Sequence, residues 1–531
     1  MTEEAGEMAE KIMVRKLKLR QKRFRLVLDV PGSMEICEAK LVYRNVISPA
    51  EYPLKVEIRP GKEKTELTVS ADVSAMELAP GDWDVYLWQK NGQKLPVILD
   101  AGTRLRLILG NYEIRTGEGF LLFPMGSRDH MLTFRYRAES EYDSPAVAAK
   151  EFLAFAVWKA LKPYWKKKRI WLVYEKYARE AQDNGFYFFR YCMEELPEKE
   201  RKRIFYIMDK KSVQWEKTQK YKKQIVSFMS FRHMLYLLAA RVYIASDSRA
   251  HSFAWQPKPN LITRETSKKP ILFLQHGVTA FKRVDGNFGK NGSTPMTHFA
   301  VTSKFEQDIV TGNFGYPKED VPILGFCRWD VLEDKSTEKN RNILIMPTWR
   351  SWLENQSREV FLQSGYFRNY RSLLMNRELE EFLKEHKVKL VFHIHPKMQE
   401  YLQAFQDKNE NVEFIPQGSR QLNELLMECS MLLTDYSSVS WDVYYLGKPV
   451  LFYQFDYELY EKAHGSYIDM KTELFGDRCL TEKELTDQIR RYVNRGFEEE
   501  EAYAAMRERH FAYRDKDNCR RTLEFLRSRG Y

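Results

Sequence analysis

Short runs of alternating apolar and polar residues fill the first quarter of the chain. RLVLDV, LKVEIRP and LTFRYRA are examples from residues 24–138, and turn dipeptides such as Asn91-Gly92 separate runs of this kind. A period of two with regular turns is typical of strands that bury one face. The pattern predicts a small all-β, sandwich-like domain over residues 1–140, whose first 22 residues form a charged leader. No catalytic group stands out in it, so its predicted role is interaction or placement.

From Ile170 onward the pattern changes to apolar runs that alternate with helix-like segments. IWLVYE, RIFYIM and ILFLQHG belong to a first series, and ILIMPTWR, LVFHIHP, MLLTDYSS and VLFYQ form a second. Apolar strands separated by helices indicate parallel sheets covered on both faces. A charged break at residues 333–342 lies between the two series. We therefore predict two consecutive α/β domains, residues 141–330 and 331–531, with a cleft at their interface.

The clearest unit of this kind is MLLTDYSSVSWDVYYLGKPVLFYQFD, residues 431–456. It combines a strand, a polar turn, a helix-like segment and a second strand, and in parallel sheets ligands lie at such turns. Ser437 and Ser438 would begin the helix, where hydroxyls, free backbone N–H groups and the helix dipole can bind phosphate. By helical spacing, Asp442 faces the same way as Ser438. An ordinary helix cap explains the same residues equally well.

Polar residues also follow other apolar runs and the hinge between the two series. They are Gln275, His276 and Gly277 after ILFL, Thr348, Trp349 and Arg350 after ILIMP, His393 and His395 within LVFHIHP, and Arg328 at the hinge. The two histidines of HIHP point the same way if they continue a strand, but no third ligand accompanies them at metal-binding spacing. Each residue has a structural explanation, because strand-end histidines are often buried and arginines stack in domain interfaces. Together they describe a site for a phosphate diester, with hydrogen-bond donors and a neutral imidazole.

Composition is compatible with several packed, soluble domains. The 531 residues are 44% hydrophobic and 14% aromatic, which suits packed cores rather than disorder. Six cysteines without paired spacing favour a reducing compartment and argue against a zinc ribbon. The amino-terminal residues lack the apolar core of a signal peptide, and the longest helix-compatible apolar run, residues 234–245, is about half a membrane span. We therefore expect a soluble or peripheral protein.

The excess of basic residues is concentrated in one segment. The formal net charge of the chain is +11, and residues 159–223 alone contain 19 Lys and Arg against 9 Asp and Glu, a net of +10. Such a segment favours an anionic partner: a membrane surface, nucleic acid or a polyanionic polymer. Phe152, Phe155 and Trp158 recur at helical spacing just before it, which suits the headgroup zone of a bilayer. A packed helix with a solvated charged end is the alternative.

The ordered set QHG, GFCRWD, PTWR, HIHP and TDYSSVSWD…GKPVLFY, with AQDNGFYFFRY before it, resembles the CDP-glycerol glycerophosphotransferase family of teichoic acid synthesis. The resemblance implies a GT-B fold, in which two Rossmann-like domains face a cleft, in a peripheral protein at the cytoplasmic face of bacterial membranes. It implies transfer of glycerol phosphate or ribitol phosphate from a CDP-activated donor to a lipid-linked saccharide or a growing poly(polyol phosphate), with release of CMP. It implies no cofactor, metal or nucleic acid, and it is compatible with a homo-oligomer.

The same resemblance implies roles for individual residues. His276 and His395 would form the catalytic pair, with His276 favoured as the base and the reverse assignment left open. Residues that would line the donor are Gln275, Gly277, Val278 and Thr279; those that would hold its nucleotide and diphosphate are Arg328, Thr348, Trp349, Arg350, His393, Ser437, Ser438 and Asp442. The family's usual HGTP appears here as His276-Gly277-Val278-Thr279. This departure weakens any inference about which polyol is carried.

Two other classes of function compete with the transferase. A nucleotide-sugar glycosyltransferase uses the same GT-B architecture, and a non-catalytic scaffold could bind membrane or polymer through the basic segment. The presence of both histidines speaks against the scaffold. Two questions are left open at this point. One is whether the donor polyol is glycerol or ribitol, and the other is whether the protein acts as a primase or a polymerase.

Overall fold

The computed structural model describes residues 12–31, 34–44, 50–61, 64–117, 119–127, 129–354, 356–406, 409–416 and 418–531. The chain divides into two compact units: Met1–Ala160 with Ala254–Lys268, and Leu161–Phe253 with Lys269–Tyr531. The second unit contains both parallel sheets, so the division into three domains at residues 140 and 330 stays a prediction. No helix in the described ranges has the length and apolar character needed to cross a membrane.

The strands are β1 (Ile12–Arg20), β2 (Arg23–Pro31), β3 (Ile36–Tyr43), β4 (Glu51–Arg59), β5 (Lys64–Asp72), β6 (Gly81–Gln89), β7 (Lys94–Ile98), β8 (Ile114–Arg115), β9 (Phe120–Gly126), β10 (Leu132–Ala138), β11 (Trp171–Tyr174), β12 (Ile204–Met208), β13 (Ile225–Ser227), β14 (Val242–Ala245), β15 (Ile271–Phe273), β16 (His298–Phe299), β17 (Asn342–Ile345), β18 (Lys389–Phe392), β19 (Val412–Phe414), β20 (Met431–Thr434), β21 (Val450–Tyr453) and β22 (Asp477–Cys479).

The α-helices are α1 (Ala101–Leu109), α2 (Pro145–Ala160), α3 (Lys162–Lys168), α4 (Asn184–Glu195), α5 (Glu198–Arg201), α6 (Trp215–Thr218), α7 (Phe231–Ala239), α8 (Leu261–Thr266), α9 (Asp285–Phe288), α10 (Lys304–Phe314), α11 (Arg358–Gln363), α12 (Gly365–Leu374), α13 (Arg377–Glu385), α14 (Leu402–Phe405), α15 (Leu422–Glu428), α16 (Val439–Tyr445), α17 (Tyr457–His464), α18 (Glu482–Asn494), α19 (Glu501–His510) and α20 (Asn518–Ser528).

The strands of the first unit close into a barrel-like ring instead of a sandwich. They pair in the order β3-β4-β5-β2-β1-β7-β6, and β6 pairs back onto β3 from Ile36 opposite Gln89 to Tyr43 opposite Trp83. The other edge of β6 is shared between β7 and β10, which continues into β9 and β8. Closure leaves few exposed strand edges in the ring. The sandwich-like prediction is therefore wrong, because alternation predicts strands but not how a sheet closes.

Two further predictions for this unit need correction. Residues 1–11 of the predicted charged leader lie outside the described residues, but β1 falls within its second half and pairs with β2. In β1, Ile12, Val14 and Leu17 are buried and most of the charged residues face outward. The many charges made this stretch look like a leader, although it has one buried and one exposed face as a strand does. The unit is also not all-β, because α1 begins at the cap Asp100, whose carboxylate accepts a hydrogen bond from Thr103 N–H.

Two parallel six-stranded sheets form the framework of the second unit. The first has the order β13-β12-β11-β14-β15-β16 and the second β19-β18-β17-β20-β21-β22, so both have the doubly wound order 3-2-1-4-5-6. Strands such as β11, β12 and β14 are buried at every residue, as expected when helices cover both faces. The predicted α/β pattern is confirmed. In this topology, ligands bind beyond the carboxyl ends of the strands near the change of winding direction.

The predicted aromatic and basic helix is two helices, α2 in the first unit and α3 in the second. On α2, Phe152 is exposed and Trp158 is buried, so Trp158 does not belong to an exposed aromatic surface. On α3, the three consecutive lysines 166–168 are exposed, and Trp165 packs edge-on against Tyr236 with ring centroids 6.2 Å apart. The exposed basic surface therefore contains fewer exposed aromatic side chains than the sequence predicts.

Candidate active site

Four loops at strand ends of the second unit line one cleft of about 1320 Å³. They follow β15, β17, β18 and β20, two of which flank the change of winding in the second sheet. The predicted site residues that line the cleft are Gln275, His276, Gly277, Val278, Thr279, Thr348, Trp349, His393, His395, Ser437 and Ser438. The structure thus brings together eleven of the fourteen predicted residues, drawn from both sheets.

The loop after β15 touches the beginning of α16 across this cleft. A Cβ atom added to Gly277 would lie 2.3 Å from Ser438 Oγ and 2.6 Å from Ser438 Cβ, both far inside van der Waals contact. Position 277 therefore needs glycine for close approach to Ser438. The left-handed residue of the turn is Gln275, with φ 59°, whereas Gly277 has no positive φ.

A buried carboxylate, Glu306, holds this loop in place. Its Oε1 accepts hydrogen bonds from Thr279 N at 2.7 Å and Gln275 Nε2 at 3.0 Å, and its Oε2 accepts one from Thr302 N at 2.7 Å. Thr279 Oγ1 in turn donates to Gln275 Oε1 at 2.6 Å. Sequence reasoning missed Glu306, although Ser303-Lys-Phe-Glu306 has the pattern of a capping box. Ser303 does cap α10, while the Glu306 side chain turns to the loop instead.

His276 presents one ring nitrogen to the backbone. Its Nδ1 lies 3.4 Å from the carbonyl oxygen of Ser246, which follows β14. A carbonyl oxygen only accepts hydrogen bonds, so this contact requires the proton on Nδ1 and leaves Nε2 as the basic nitrogen. His393, in the same cleft, has its pKa lowered by burial, which favours the neutral imidazole. The ring of His395 lies 6.0 Å from that of Trp349, centroid to centroid.

Arg328 and Asp442 do not line the cleft, contrary to the prediction. Arg328 Nε and Nη2 donate to the two carboxylate oxygens of Asp442 at 2.8 and 3.0 Å, and Nη1 donates to Asp183 at 2.9 Å. Trp329 Nε1 donates to Asp442 at 2.6 Å. Both partners are buried, and their hydrogen bonds hold α16 against the hinge and the cap of α4.

Arg350 is also absent from the lining of the cleft. It is fully buried, and its guanidinium forms ion pairs with Asp435 at 2.8 Å and with Asp456 at 2.7 Å. Its Nη1 also donates to the carbonyl oxygen of Thr348 at 2.6 Å. Removing one partner of a buried, hydrogen-bonded ion pair is strongly destabilising. Arg350 therefore fixes the loops after β17, β20 and β21 relative to one another.

The hydroxyl groups of the second sheet remain available to a ligand. Ser438 is the N-cap of α16, yet its side chain makes no capping hydrogen bond. Thr348 Oγ1 is buried and has no hydrogen-bond partner among the described residues, while Thr348 N donates to Asp435 at 2.9 Å. A buried hydroxyl without a partner is unfavourable, and a bound acceptor or donor would satisfy it.

The cleft has a strong excess of positive charge that the sequence did not assign to it. Its lining includes seven Lys and Arg but only two Glu: Lys176, Arg179, Lys211, Lys217, Lys282, Arg283 and Arg420 against Glu180 and Glu424. Four of these cations belong to the basic segment at residues 159–223. His464 also lines the cleft, and burial lowers its pKa to about 4. A concave surface of this charge attracts polyanions such as diphosphates.

Comparison with known proteins identifies the family. Residues 154–528 match the family described as CDP-glycerol:poly(glycerophosphate) glycerophosphotransferase. The chain belongs to this family. The resemblance drawn from the sequence motifs is confirmed, and the matched region contains the whole cleft but excludes the barrel-like ring of the first unit.

Two curated relatives of this chain extend well beyond the aligned region. Minor teichoic acid biosynthesis protein GgaB of Bacillus subtilis (strain 168) is 30% identical over 370 residues, which cover 67% of this chain and 39% of GgaB. Teichoic acid ribitol-phosphate polymerase TarK of Staphylococcus aureus (strain NCTC 8325 / PS 47) is 25% identical over 281 residues, covering 48% of this chain and 52% of TarK. The chain thus spans about half or less of the length of these relatives.

A solved structure of similar fold is that of the wall teichoic acid polymerase TagF. Its structure superimposes with a TM-score of 0.51 and 15% identity over 73% of this chain and 98% of the TagF chain. A variant of TagF gives a TM-score of 0.54 with 16% identity over 72% of this chain. At this identity the likeness concerns the fold alone, and it supports the mixed α/β architecture of the second unit.

Proposed function

We propose that the protein transfers a polyol phosphate, glycerol phosphate or ribitol phosphate, from a CDP-activated donor to a teichoic-acid-type acceptor and releases CMP. The observation that carries the proposal is one cationic cleft in which His276 and His395 lie with Ser437, Ser438 and Thr348, drawn from two doubly wound sheets. Membership of the glycerophosphotransferase family supports the same chemistry. We also propose that the two sheets and their helices form the GT-B pair of Rossmann-like domains.

The donor would lie along the second sheet. Ser437, Ser438 and the partnerless hydroxyl of Thr348 offer hydrogen bonds to the diphosphate, and Lys282 and Arg420 offer positive charge in the same cleft. Hydrogen bonds to charged phosphate oxygens are about twice as strong as neutral ones. The lysine and arginine side chains of the cleft would neutralise much of the charge of the diphosphate. No step of the proposal needs a metal ion.

The acceptor hydroxyl would attack the β-phosphorus of the donor. A new oxygen–phosphorus bond forms there as the bond from that phosphorus to the bridging oxygen breaks, and CMP leaves with the bonding electron pair. His276 Nε2 would accept the hydroxyl proton, because Nδ1 is directed at the carbonyl oxygen of Ser246. His395 would stabilise charge on the phosphate in flight.

The acceptor and the cellular site follow from the same proposal. A lipid-linked saccharide or poly(polyol phosphate) would enter the cleft from the side of the first sheet, where Lys176, Lys211 and Lys217 lie. A lipid-linked acceptor places the enzyme at the cytoplasmic face of the membrane, and the exposed lysines of α3 are the surface we propose for contact with anionic lipid. Association into a homo-oligomer stays a prediction.

The test uses the purified chain with CDP-glycerol, CDP-ribitol or UDP-glucose and a synthetic polyol-phosphate acceptor. We expect CMP release and acceptor extension with a CDP-polyol. His276→Ala and His395→Ala should each lower turnover about 10²-fold or more, since general acid–base help of that size is lost. His386→Ala is the matched control, because His386 lies outside the cleft and contacts the Phe382 carbonyl. Transfer from UDP-glucose, or near wild-type CMP release by both variants, would overturn the proposal.

A further inference from the structure

The first unit contains a cavity of its own, separate from the catalytic cleft. It has a volume of about 410 Å³, within the range of about 300–1,000 Å³ typical of small-molecule sites. It lies among the carboxyl end of α1, the first half of α2 and residues 257–261. None of the residues that line it also lines the cleft between the two parallel sheets. The cavity is therefore distinct from the cleft proposed for the donor.

The charged groups in this cavity are balanced in number. Three cations, Arg115, Arg137 and Lys258, face three carboxylates, Glu113, Asp143 and Glu151. Arg137 donates to both carboxylate oxygens of Asp143 at 2.7 and 2.8 Å. Glu113 pairs with Lys258 and, at 2.8 Å, with Arg115 Nε. These three cations are already paired with carboxylates, so they offer little free charge to a nucleotide or a polyphosphate.

Glu151 is the member of this set that has no hydrogen-bond partner among the described residues. Burial raises its pKa to about 7, with Lys258 acting in the opposite direction. Glu151 is half-buried and lines the cavity, so a bound ligand can replace the solvent that its carboxyl group would otherwise meet. Glu151 thus has acceptor capacity, and in its protonated form a donor, to offer inside the cavity.

Apolar and aromatic side chains surround this polar centre. Leu109 and Phe152 line the cavity, and each is 63% exposed, so both offer apolar surface to a ligand there. Tyr112 and Tyr142 add two more rings to the lining. An aromatic face beside a hydrogen-bonding group suits a ligand that has both an apolar face and hydroxyl groups.

From these features we infer that the cavity is a saccharide-binding site. A pyranose ring is uncharged, presents an apolar C–H face that can stack on the ring of Phe152, and carries hydroxyl groups for Glu151. A charged ligand would instead leave the balanced set of Arg115, Arg137 and Lys258 with their carboxylates unmatched. The inference concerns the first unit alone and does not depend on the transferase reaction.

The test is binding to the full chain, measured by saturation-transfer NMR and calorimetry. The probes are glucose, galactose, N-acetylglucosamine and maltose, with spermidine and CDP as a cationic and an anionic comparison. We expect at least one saccharide to bind, and CDP to leave that binding unchanged because it would occupy the other cleft. Phe152→Ala and Glu151→Gln should each weaken the binding about tenfold or more. Leu153→Ala is the matched control, because Leu153 is exposed on the same helix but does not line the cavity.

The outcomes separate this inference from the proposed reaction. Thermal unfolding of each variant establishes that the first unit is still folded. If no saccharide of the panel binds, or if Phe152→Ala and Glu151→Gln leave saccharide binding unchanged, the inference is wrong. Binding of spermidine that is lost in Glu151→Gln, without saccharide binding, would overturn it in favour of a cation site. Loss of CMP release through the histidine variants has no bearing on any of these results.

Discussion

Replacing Gly277 by alanine tests whether the contact between the two sheets sets the geometry of the cleft. The added Cβ would lie 2.6 Å from Ser438 Cβ and 2.3 Å from Ser438 Oγ. The hydroxyl can rotate away, but the Cβ atoms can separate only if the two backbones move apart. Ordinary contact between such atoms begins near 3.4 Å, so a separation of about 0.8 Å is required.

That displacement acts directly on the proposed reacting groups, since His276 precedes Gly277 and Ser437 precedes Ser438. A misplacement of about 1 Å at a reaction centre can lower the rate about 10²-fold. We therefore expect kcat/KM for the CDP-polyol to fall about 10²-fold in Gly277→Ala, or about 2.7 kcal/mol of transition-state stabilisation. The free energy of unfolding should change far less, because only two loops shift.

A double-mutant cycle identifies the cause. Ser438→Gly removes both close atoms and leaves Ser438 Cα, at 3.9 Å, as the nearest remaining contact of the new methyl group. Gly277→Ala combined with Ser438→Gly should then be no less active than Ser438→Gly alone. Gly312→Ala in α10 is the control, because its added Cβ meets nothing within 4 Å. Wild-type kcat/KM in Gly277→Ala, or additive losses in the double variant, would refute the steric argument.

Three further predictions concern binding, docking and pH. Ser437→Ala with Ser438→Ala should weaken CDP-polyol binding by about 1–3 kcal/mol in calorimetry, and unchanged affinity would remove these serines from the site. Changing residues 166–169 together to Glu should release the protein from anionic vesicles in co-sedimentation, whereas retention at low salt would contradict docking through α3. Burial raises the pKa of Glu151 to about 7 in the folded state, so wild-type stability falls as pH rises from about 4.5 to 7. Relative to the wild type, the free energy of unfolding of Glu151→Gln should therefore rise by about 2 kcal/mol from pH 5 to pH 8. A difference between variant and wild type that does not change with pH would contradict the unpaired carboxyl.

The strand ends of the second unit were predictable because their sequence is locally unambiguous. Runs such as ILFL and MLLT are short and wholly apolar, and each is followed at once by polar residues, among them His276 and Asp435. Parallel strands place such residues at the carboxyl edge of each sheet, where ligands bind, but the strand pattern does not specify how the edges of the two sheets come to line one cleft. The closure of β6 onto β3 in the first unit was not predictable in this way, because alternation does not specify which strands meet at the seam.

The roles of the buried charges were beyond local reasoning for a different reason. Arg328 and Asp442 are 114 residues apart, and Arg350 and Asp456 are 106 apart, yet each pair is joined by two hydrogen bonds. A sequence shows that a charged residue lies near a loop but not which opposite charge it meets. An arginine that binds phosphate and one that binds a buried carboxylate therefore have the same appearance in a motif. Only the three-dimensional arrangement shows which of these residues line the cleft and which hold the loops.

The basic segment shows why the vesicle test must use charge reversal rather than salt. Lys176, Arg179, Lys211 and Lys217 line the cleft, whereas residues 166–168 are exposed on α3. High salt screens both groups, so it would weaken lipid binding and substrate binding together. Reversal of residues 166–169 changes only groups outside the cleft, so transfer to a soluble acceptor should survive while vesicle binding is lost. A variant with both Lys211→Glu and Lys217→Glu tests the other group of lysines. If it keeps vesicle binding but loses transfer, these two lysines serve substrate binding and not lipid binding.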